Sequence, residues 1–492
     1  MDRQVGRAGL IVVALFVLLL VQTASIQVFS ATRLYDNNAN AYRRMIAEFS
    51  VDRGPILASD AKTRLALSQP ATGGVFDYAR VYPEGELYAN VTGFYSLVYG
   101  TADLEHSYDP YLAARDDSLF AANLRDQILD KPKHGASVTT TMDPDLQRTA
   151  TKALGGRPGA VVAMDPSTGN VLAMVTAPSY DPNQLSSHDP KQIRAAWARL
   201  NQDPAKPMVS KANQELYPPG STFKLVTAAA ALENGYGLNS SWPNPPVLDL
   251  PLTTHTLQNF GGEHCMGGAA QLTLEQAFTV SCNVVFGEVG LKLGANALVQ
   301  QAEAFGFNQE IPFDVPFVTG HIPDAAYFAE REPAVALSAI GQDQVATNPL
   351  QMALVASAIA NGGVEMQPRL VTEVRAPDGS VLEIPDPVQW GRPISSKTAA
   401  DLTKMMVDVV DHGTGTAAQI PGVEVAGKTG TAQHGTGEAP HAWFVCFAPA
   451  QNPEIVVAVV VLDGGDLGSE ATGGAVAAPI AKAVVEAALE KR

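Results

Sequence analysis

A serine followed three residues later by a lysine, at the start of an apolar helical stretch, pairs a nucleophile with a base. Pro218-Pro219-Gly220-Ser221-Thr222-Phe223-Lys224 has this form, and helical spacing puts Ser221 and Lys224 on one face. A serine hydroxyl attacks poorly unless an adjacent base takes its proton, and a desolvated lysine of lowered pKa can do so. The positive end of the helix would also steady an oxyanion forming beside it. The same spacing occurs at Ser59-Asp60-Ala61-Lys62, which reads as a solvated turn, so the motif alone does not fix the site.

Two further motifs follow in order. Ser281-Cys282-Asn283 is the one S-x-N in the chain, and Lys428-Thr429-Gly430-Thr431 holds the one K-T-G, inside a β-rich run. Singly, the first reads equally well as a polar turn and the second as an edge-strand bend at glycine. Together with S-x-x-K they make the set used by serine enzymes that form an acyl-enzyme with D-alanyl peptides or β-lactams. Cys282 stands where the commonest form of the second motif has Asp.

These residues need a scaffold. Ala160 to Met164 and Asn170 to Thr176 are apolar runs joined by a turn-rich link, and they predict a strand pair. Thr222 to Glu233, Thr273 to Leu293 and Leu350 to Asn361 carry apolar residues at helical spacing. Val423 to Ala432, Ala442 to Ala448 and Ile455 to Leu462 return to β-rich sequence, and Gly474 to Leu489 predicts a closing amphipathic helix. The order implies an α/β domain with an antiparallel sheet between helices. Asp143 and Pro144 predict a capped helix running to about Gly155. Arg33 to about Ala150 reads as a separate module with few candidates for chemistry.

Net charge excludes one large class of function. The chain has 33 basic and 50 acidic residues, a net −17, which repels phosphate backbones and argues against nucleic-acid binding. Gly9 to Phe29 carries no charge, and as a helix it would reach roughly 31 Å, enough to cross a bilayer. Arg3 and Arg7 precede it, which predicts a cytoplasmic N-terminus and an exported body. A cleaved signal peptide ending near Thr23-Ala24-Ser25 is the alternative. Three cysteines, Cys265, Cys282 and Cys446, show no metal-ligand spacing. They allow either a Cys265–Cys282 bridge or three separate buried thiols. No cofactor and no metal is expected.

The three motifs, with Arg53-Gly54-Pro55-Ile56, Gly159 to Pro178, Ala339 to Pro349 and Ala442-Trp443-Phe444, resemble the class B penicillin-binding proteins, the peptidoglycan D,D-transpeptidases. Among these they resemble the actinobacterial penicillin-binding protein A group. The resemblance covers nearly everything after Arg33. It implies a cytoplasmic tail at 1–8, a transmembrane anchor at 9–29, a mixed α+β pedestal at 33–150 and a transpeptidase domain of the serine penicillin-recognising, β-lactamase-like fold at 151–492, with no appended C-terminal repeat module. Carried over, Ser221 would be the acylated nucleophile and Lys224 its base. Ser281 would relay a proton to the leaving D-alanine nitrogen, and Asn283 would bond Lys224 and the substrate backbone. Lys428 would set positive charge beside Ser281. Thr429 and Thr431, flanking Gly430, would take the substrate carboxylate, and the N–H groups of Ser221 and Thr431 would form the oxyanion hole. The implied ligands are stem peptides ending in D-alanyl-D-alanine and β-lactams, and the implied partners are a polytopic SEDS-type glycan polymerase and division proteins. A D,D-carboxypeptidase or β-lactamase would share every motif but would need a carboxylate to activate water, and the sequence offers none identifiable. A β-lactam sensor would need a cytoplasmic signalling domain, and an inactive structural partner would be expected to lose a motif.

Overall fold

The computed structural model describes residues 2–29, 40–119, 133–262, 264–433 and 437–491. The expected start of the pedestal at Arg33 lies outside the described residues. Helix α1 (Asp2–Phe29) contains the apolar span Gln4–Ile26, none of it buried against the rest of the chain. It is the one unbroken helix among the described residues long and apolar enough to cross a membrane.

The pedestal is built first. Strands β1 (Ile56–Leu57), β2 (Arg64–Pro70), β3 (Tyr78–Val81) and β4 (Ser137–Thr140) lie side by side, with β1 between β2 and β4. The Ser59–Lys62 motif lies in the exposed β1–β2 turn, where Asp60 accepts the backbone N–H groups of Lys62 and Thr63 at 2.9 and 2.8 Å. Helix α2 (Pro144–Leu154) follows, capped by Asp143, which accepts from Asp145 N and Leu146 N, and stopped by left-handed Gly155. The sequence boundary at residue 150 falls inside this helix. Its buried Leu146, Ala150 and Leu154 belong to the apolar cluster that also holds the C-terminal helix, so α2 is part of the second unit.

Strands β5 (Gly159–Met164) and β6 (Val171–Ala177) open the central sheet. The segment holding Ser221 is a tight 3-10 turn, Gly220–Phe223, leading into α3 (Lys224–Glu233). The single helix expected over Thr273 to Leu293 is two. A Thr273/Gln276 capping box starts α4 (Leu274–Thr279), and α5 (Asn283–Ala304) begins after a corner at Val280-Ser281-Cys282. Ser281 takes a left-handed backbone, φ 58°, which no helix interior tolerates. Helix α6 (Pro349–Ala360) is almost wholly buried. The chain then returns to the pedestal: β7 (Val371–Arg375) pairs with β4, and β8 (Val381–Glu383) adds outside it. The pedestal sheet, ordered β8-β7-β4-β1-β2-β3, therefore draws two strands from beyond the boundary read in the sequence. After α7 (Ser396–Asp411), strands β9 (Ala426–Ala432), β10 (His441–Ala448) and β11 (Ile455–Val461) complete the central sheet, ordered β9-β10-β11-β5-β6 and antiparallel throughout. Every residue of β10 and β11 is buried, as expected for strands covered on both faces. One apolar cluster, with α3 and α6, fills one side, and the other, with α2 and α8 (Ala478–Leu489), fills the opposite side. The closing helix starts later than expected because Gly473–Ala477 forms a wider turn before it and Pro479 sits in its first turn.

One buried acid stands apart from the site. Glu365, in a short strand (Glu365–Met366) paired with Gln389–Gly391, is fully buried, with no hydrogen-bond partner for either carboxylate oxygen among the described residues. Burial alone pushes its pKa up to about 8 from 4.5. The native state thus keeps a proton that the unfolded chain releases above about 4.5, so stability present below that pH is lost as pH rises towards 8. Glu365→Gln should match wild type near pH 5 and exceed it near pH 8 by on the order of 3 kcal/mol. Melting curves of both proteins across that range measure the difference. A constant offset at all pH values would contradict it.

Candidate active site

The site forms where the Ser221 turn, the α4–α5 corner and edge strand β9 meet. Gly220 has φ 53°, and its N–H donates to Gly341 O at 2.9 Å. A β-carbon on Gly220 would lie 2.7 Å from Thr431 O, and one on Gly430 would lie 2.8 Å from Pro219 O. Turn and strand therefore approach backbone to backbone, and Trp443 on β10 fixes them further by donating its indole N–H to Pro218 O at 2.9 Å. Any side chain at Gly430 would wedge Ser221 away from β9.

Two lysines converge on the corner. Lys224 and Lys428 are both fully buried. Lys224 Nζ donates to Ser281 O at 2.7 Å and Asn283 Oδ1 at 2.7 Å, with a longer contact of 3.3 Å to Ser281 Oγ. Lys428 Nζ donates to Ser281 Oγ at 2.8 Å and Thr429 O at 3.1 Å. Ser281, whose backbone is left-handed, thus offers both its carbonyl and its hydroxyl to the Lys224 amine. Burial first, then the charge of Lys428, hold the Lys224 pKa well below its ordinary value. Burial brings Lys428 down to about 7. A neutral Lys224 has two N–H groups, enough for the two short bonds, and a lone pair left for a proton.

A cleft of about 1070 Å³ opens over this cluster, and its lining includes Ser221, Ser281, Asn283, Thr429 and Thr431. Strand alternation turns Lys428 and Gly430 towards the Ser221 turn, while Thr429 and Thr431, alternating with them, reach the cleft along the open edge of β9. Thr429 exchanges a hydroxyl hydrogen bond with Thr414, at 2.5 Å. Because β9 is an edge strand, its free backbone groups can pair with an extended peptide laid along the cleft. All eight site residues read from the sequence are brought to this one place, while Ser59 is left in its turn on the pedestal.

The sequence reading missed several contributors. Asn259 Oδ1 accepts the N–H groups of Asn283 and Val284 at 2.8 and 3.2 Å. Cys265 and Cys282 are disulfide-bonded, which settles the choice left open by their spacing, and Cys446 is buried and reduced on β10. Asp343 also lines the cleft, and its carboxylate accepts from Tyr327 Oη at 3.1 and 3.3 Å. Gly341 and Asp343 lie inside the quoted Ala339 to Pro349 segment, and the bridge was one of the two readings the cysteines allowed, but Asn259 is an ordinary loop residue that gave no signal in advance.

Comparison with known proteins fits this geometry. The family model "Penicillin binding protein transpeptidase domain" matches residues 159–486, and "Penicillin binding protein A dimerisation domain" matches 53–138. The chain belongs to the class B penicillin-binding proteins. This class B protein is 43% identical to Peptidoglycan D,D-transpeptidase PbpA of Mycolicibacterium smegmatis, over 100% of both chains. It has the same identity to the protein of that name from Mycobacterium tuberculosis, over 100% of this chain and 99% of the other. Among solved structures, the ceftriaxone acyl-enzyme complex of M. tuberculosis penicillin-binding protein A matches with a TM-score of 0.85 at 42% identity, covering 90% of this chain and 100% of that one. A D,D-transpeptidase domain from Eggerthella lenta matches with a TM-score of 0.78 at 34% identity, covering 90% and 99%.

Proposed function

We propose that this class B penicillin-binding protein cross-links peptidoglycan stem peptides as a D,D-transpeptidase, with Ser221 as its covalent nucleophile. The observation that carries the reading is the convergence of Lys224 and Lys428 on Ser281 Oγ at the floor of the cleft that Ser221 lines. Lys224 takes the Ser221 proton as Oγ attacks the carbonyl of the penultimate D-alanine, and the Ser221 and Thr431 N–H groups hold the oxyanion. The peptide C–N bond then breaks. Ser281, polarised by Lys428, passes its proton to the departing D-alanine nitrogen, which leaves as free D-alanine, and Lys224, 3.3 Å away, returns the Ser221 proton to the Ser281 oxygen. Asn283 holds Lys224 and the donor backbone, and the Thr429 and Thr431 hydroxyls bind the terminal carboxylate. An acceptor amine attacks the ester next, loses its proton to the site and restores Ser221. A β-lactam enters by the same first step, but its opened ring stays attached and blocks the acceptor.

Relatives named peptidoglycan D,D-transpeptidase, together with acyl-enzyme complexes of M. tuberculosis penicillin-binding protein A, support this assignment. The anchored topology, with the body outside the cell, rests on the span Gln4–Ile26 and the basic residues before it. A SEDS-type glycan polymerase and division proteins as partners rest on the family resemblance alone. Peptide mass mapping after treatment with benzylpenicillin tests the nucleophile. One adduct, on the peptide containing Ser221, is expected, and an adduct on the Ser59 peptide would overturn the assignment. A chase of the adduct formed by a fluorescent penicillin with unlabelled drug separates cross-linking from hydrolysis. The label should persist for many minutes, and loss within seconds that Asp343→Asn abolishes would make Asp343 a water-activating base and the protein a hydrolase.

A further inference from the structure

Helix α5 begins with Asn283, yet the residue before it supplies no side-chain cap, because the Cys282 sulfur is committed to the bridge with Cys265. The first N–H groups of a helix have no partner within it and must find one elsewhere. Here Asn259, in a loop outside both α4 and α5, gives its side-chain oxygen to Asn283 N at 2.8 Å and Val284 N at 3.2 Å. The next residue back, Gln258, accepts the Asn283 Nδ2 hydrogen through its backbone oxygen at 3.2 Å. The Cys265–Cys282 bridge then ties the far end of the same loop to the corner. An ordinary cap fixes a helix end whose side chains are indifferent to it. This one grips the residue whose own Oδ1 accepts from Lys224 Nζ at 2.7 Å.

We propose that Asn259 is a positioning residue for acylation, holding the start of α5 so that the Asn283 amide faces Lys224. It acts through Asn283 and touches neither substrate nor the reacting atoms. The inference rests on the reading that Asn283 and Lys224 serve the acylation step. Without the Asn259 oxygen, the first turn of α5 has two unpaired N–H groups and the Asn283 side chain loses its fixed direction. Lys224 then loses one acceptor. An acceptor favours the charged form of an amine, so its loss moves the pH at which Lys224 becomes neutral downwards.

The experiment uses the full chain in detergent and measures the second-order rate constant for acylation by a fluorescent penicillin against pH, for wild type, Asn259→Ala, Asn259→Asp and Asn283→Ala. Asn259→Ala should lower the plateau by about 10- to 100-fold, shift the acidic limb to lower pH and leave a cooperative melt. Asn259→Asp keeps the acceptor oxygen and should recover the plateau to within about threefold, with the limb moved to higher pH by the added negative charge. Acylation by Asn259→Ala within about twofold of wild type overturns the proposal, as does Asn259→Asp that is no better than Asn259→Ala. Asn283→Ala separates the two levels. If it is slow while Asn259→Ala is normal, only the positioning role falls. If it acylates normally, the role given to Asn283 falls with it.

Discussion

Lys224→Arg is expected to slow acylation by a β-lactam about a thousandfold, within the range that general bases contribute. Arginine keeps the charge but holds its proton above pH 12, so it cannot take one from Ser221 near neutrality. The wild-type amine is set up to do so. It is fully buried, and burial first, then the nearby charge of Lys428, hold its pKa well below the ordinary value. Because the arginine side chain is larger, Lys224→Met serves as a second variant that keeps the volume and removes the amine. Both should be slow, and both should melt cooperatively. Gel fluorescence after timed labelling gives the rates. Near-normal acylation by either variant would remove Lys224 from the role of base.

The reacting groups were legible in the sequence because chemistry restricts them. A serine with a lysine on the next turn, an S-x-N and a K-T-G each have few substitutes, and the strands and helices that carry them have clear periodicity. The residues that set their geometry have no such restriction. Nothing marks Asn259 as different from any other loop asparagine until the fold brings it to the start of α5. The α4–α5 corner was also invisible, since apolar residues on both sides of Val280-Ser281-Cys282 keep helical spacing while Ser281 itself turns left-handed. Composition suggested a self-contained pedestal, yet Val371–Arg375 extends its sheet by pairing with Ser137–Thr140. Register between strands so far apart is decided by burial in the folded state, and a short run such as Val371-Thr372-Glu373-Val374-Arg375 does not name its partner.

The pedestal holds the largest stability effect expected in the molecule. Glu105, fully buried, accepts from Arg53 Nε and Arg80 Nε, both at 2.6 Å, and from Tyr82 Oη at 3.1 Å. Burial pushes its pKa up, but the opposing charges of Arg80 and Arg53 and their hydrogen bonds more than offset this and hold it below the ordinary carboxylate value. Glu105→Ala removes the shared counter-charge of two buried guanidiniums. Arg53 still has Asp109, at 2.6 Å, whereas no other carboxylate pairs with Arg80 among the described ion pairs. Breaking a buried pair from one side costs about 3–5 kcal/mol, and this cost should appear as a large drop in melting temperature. Glu105→Gln, which keeps the shape and one acceptor, should fall between the two. The effect should also depend on pH. A carboxylate whose folded pKa is depressed contributes stability that is present above its unfolded value, near 4.5, and is lost as pH falls through the folded value. The gap between wild type and Glu105→Ala should therefore be full at neutral pH and close in acid. Because the network lies in the pedestal, away from Ser221, folded Glu105→Ala should acylate at close to the wild-type rate. Unchanged melting at neutral pH would show that the ion cluster adds no stability beyond its own desolvation cost.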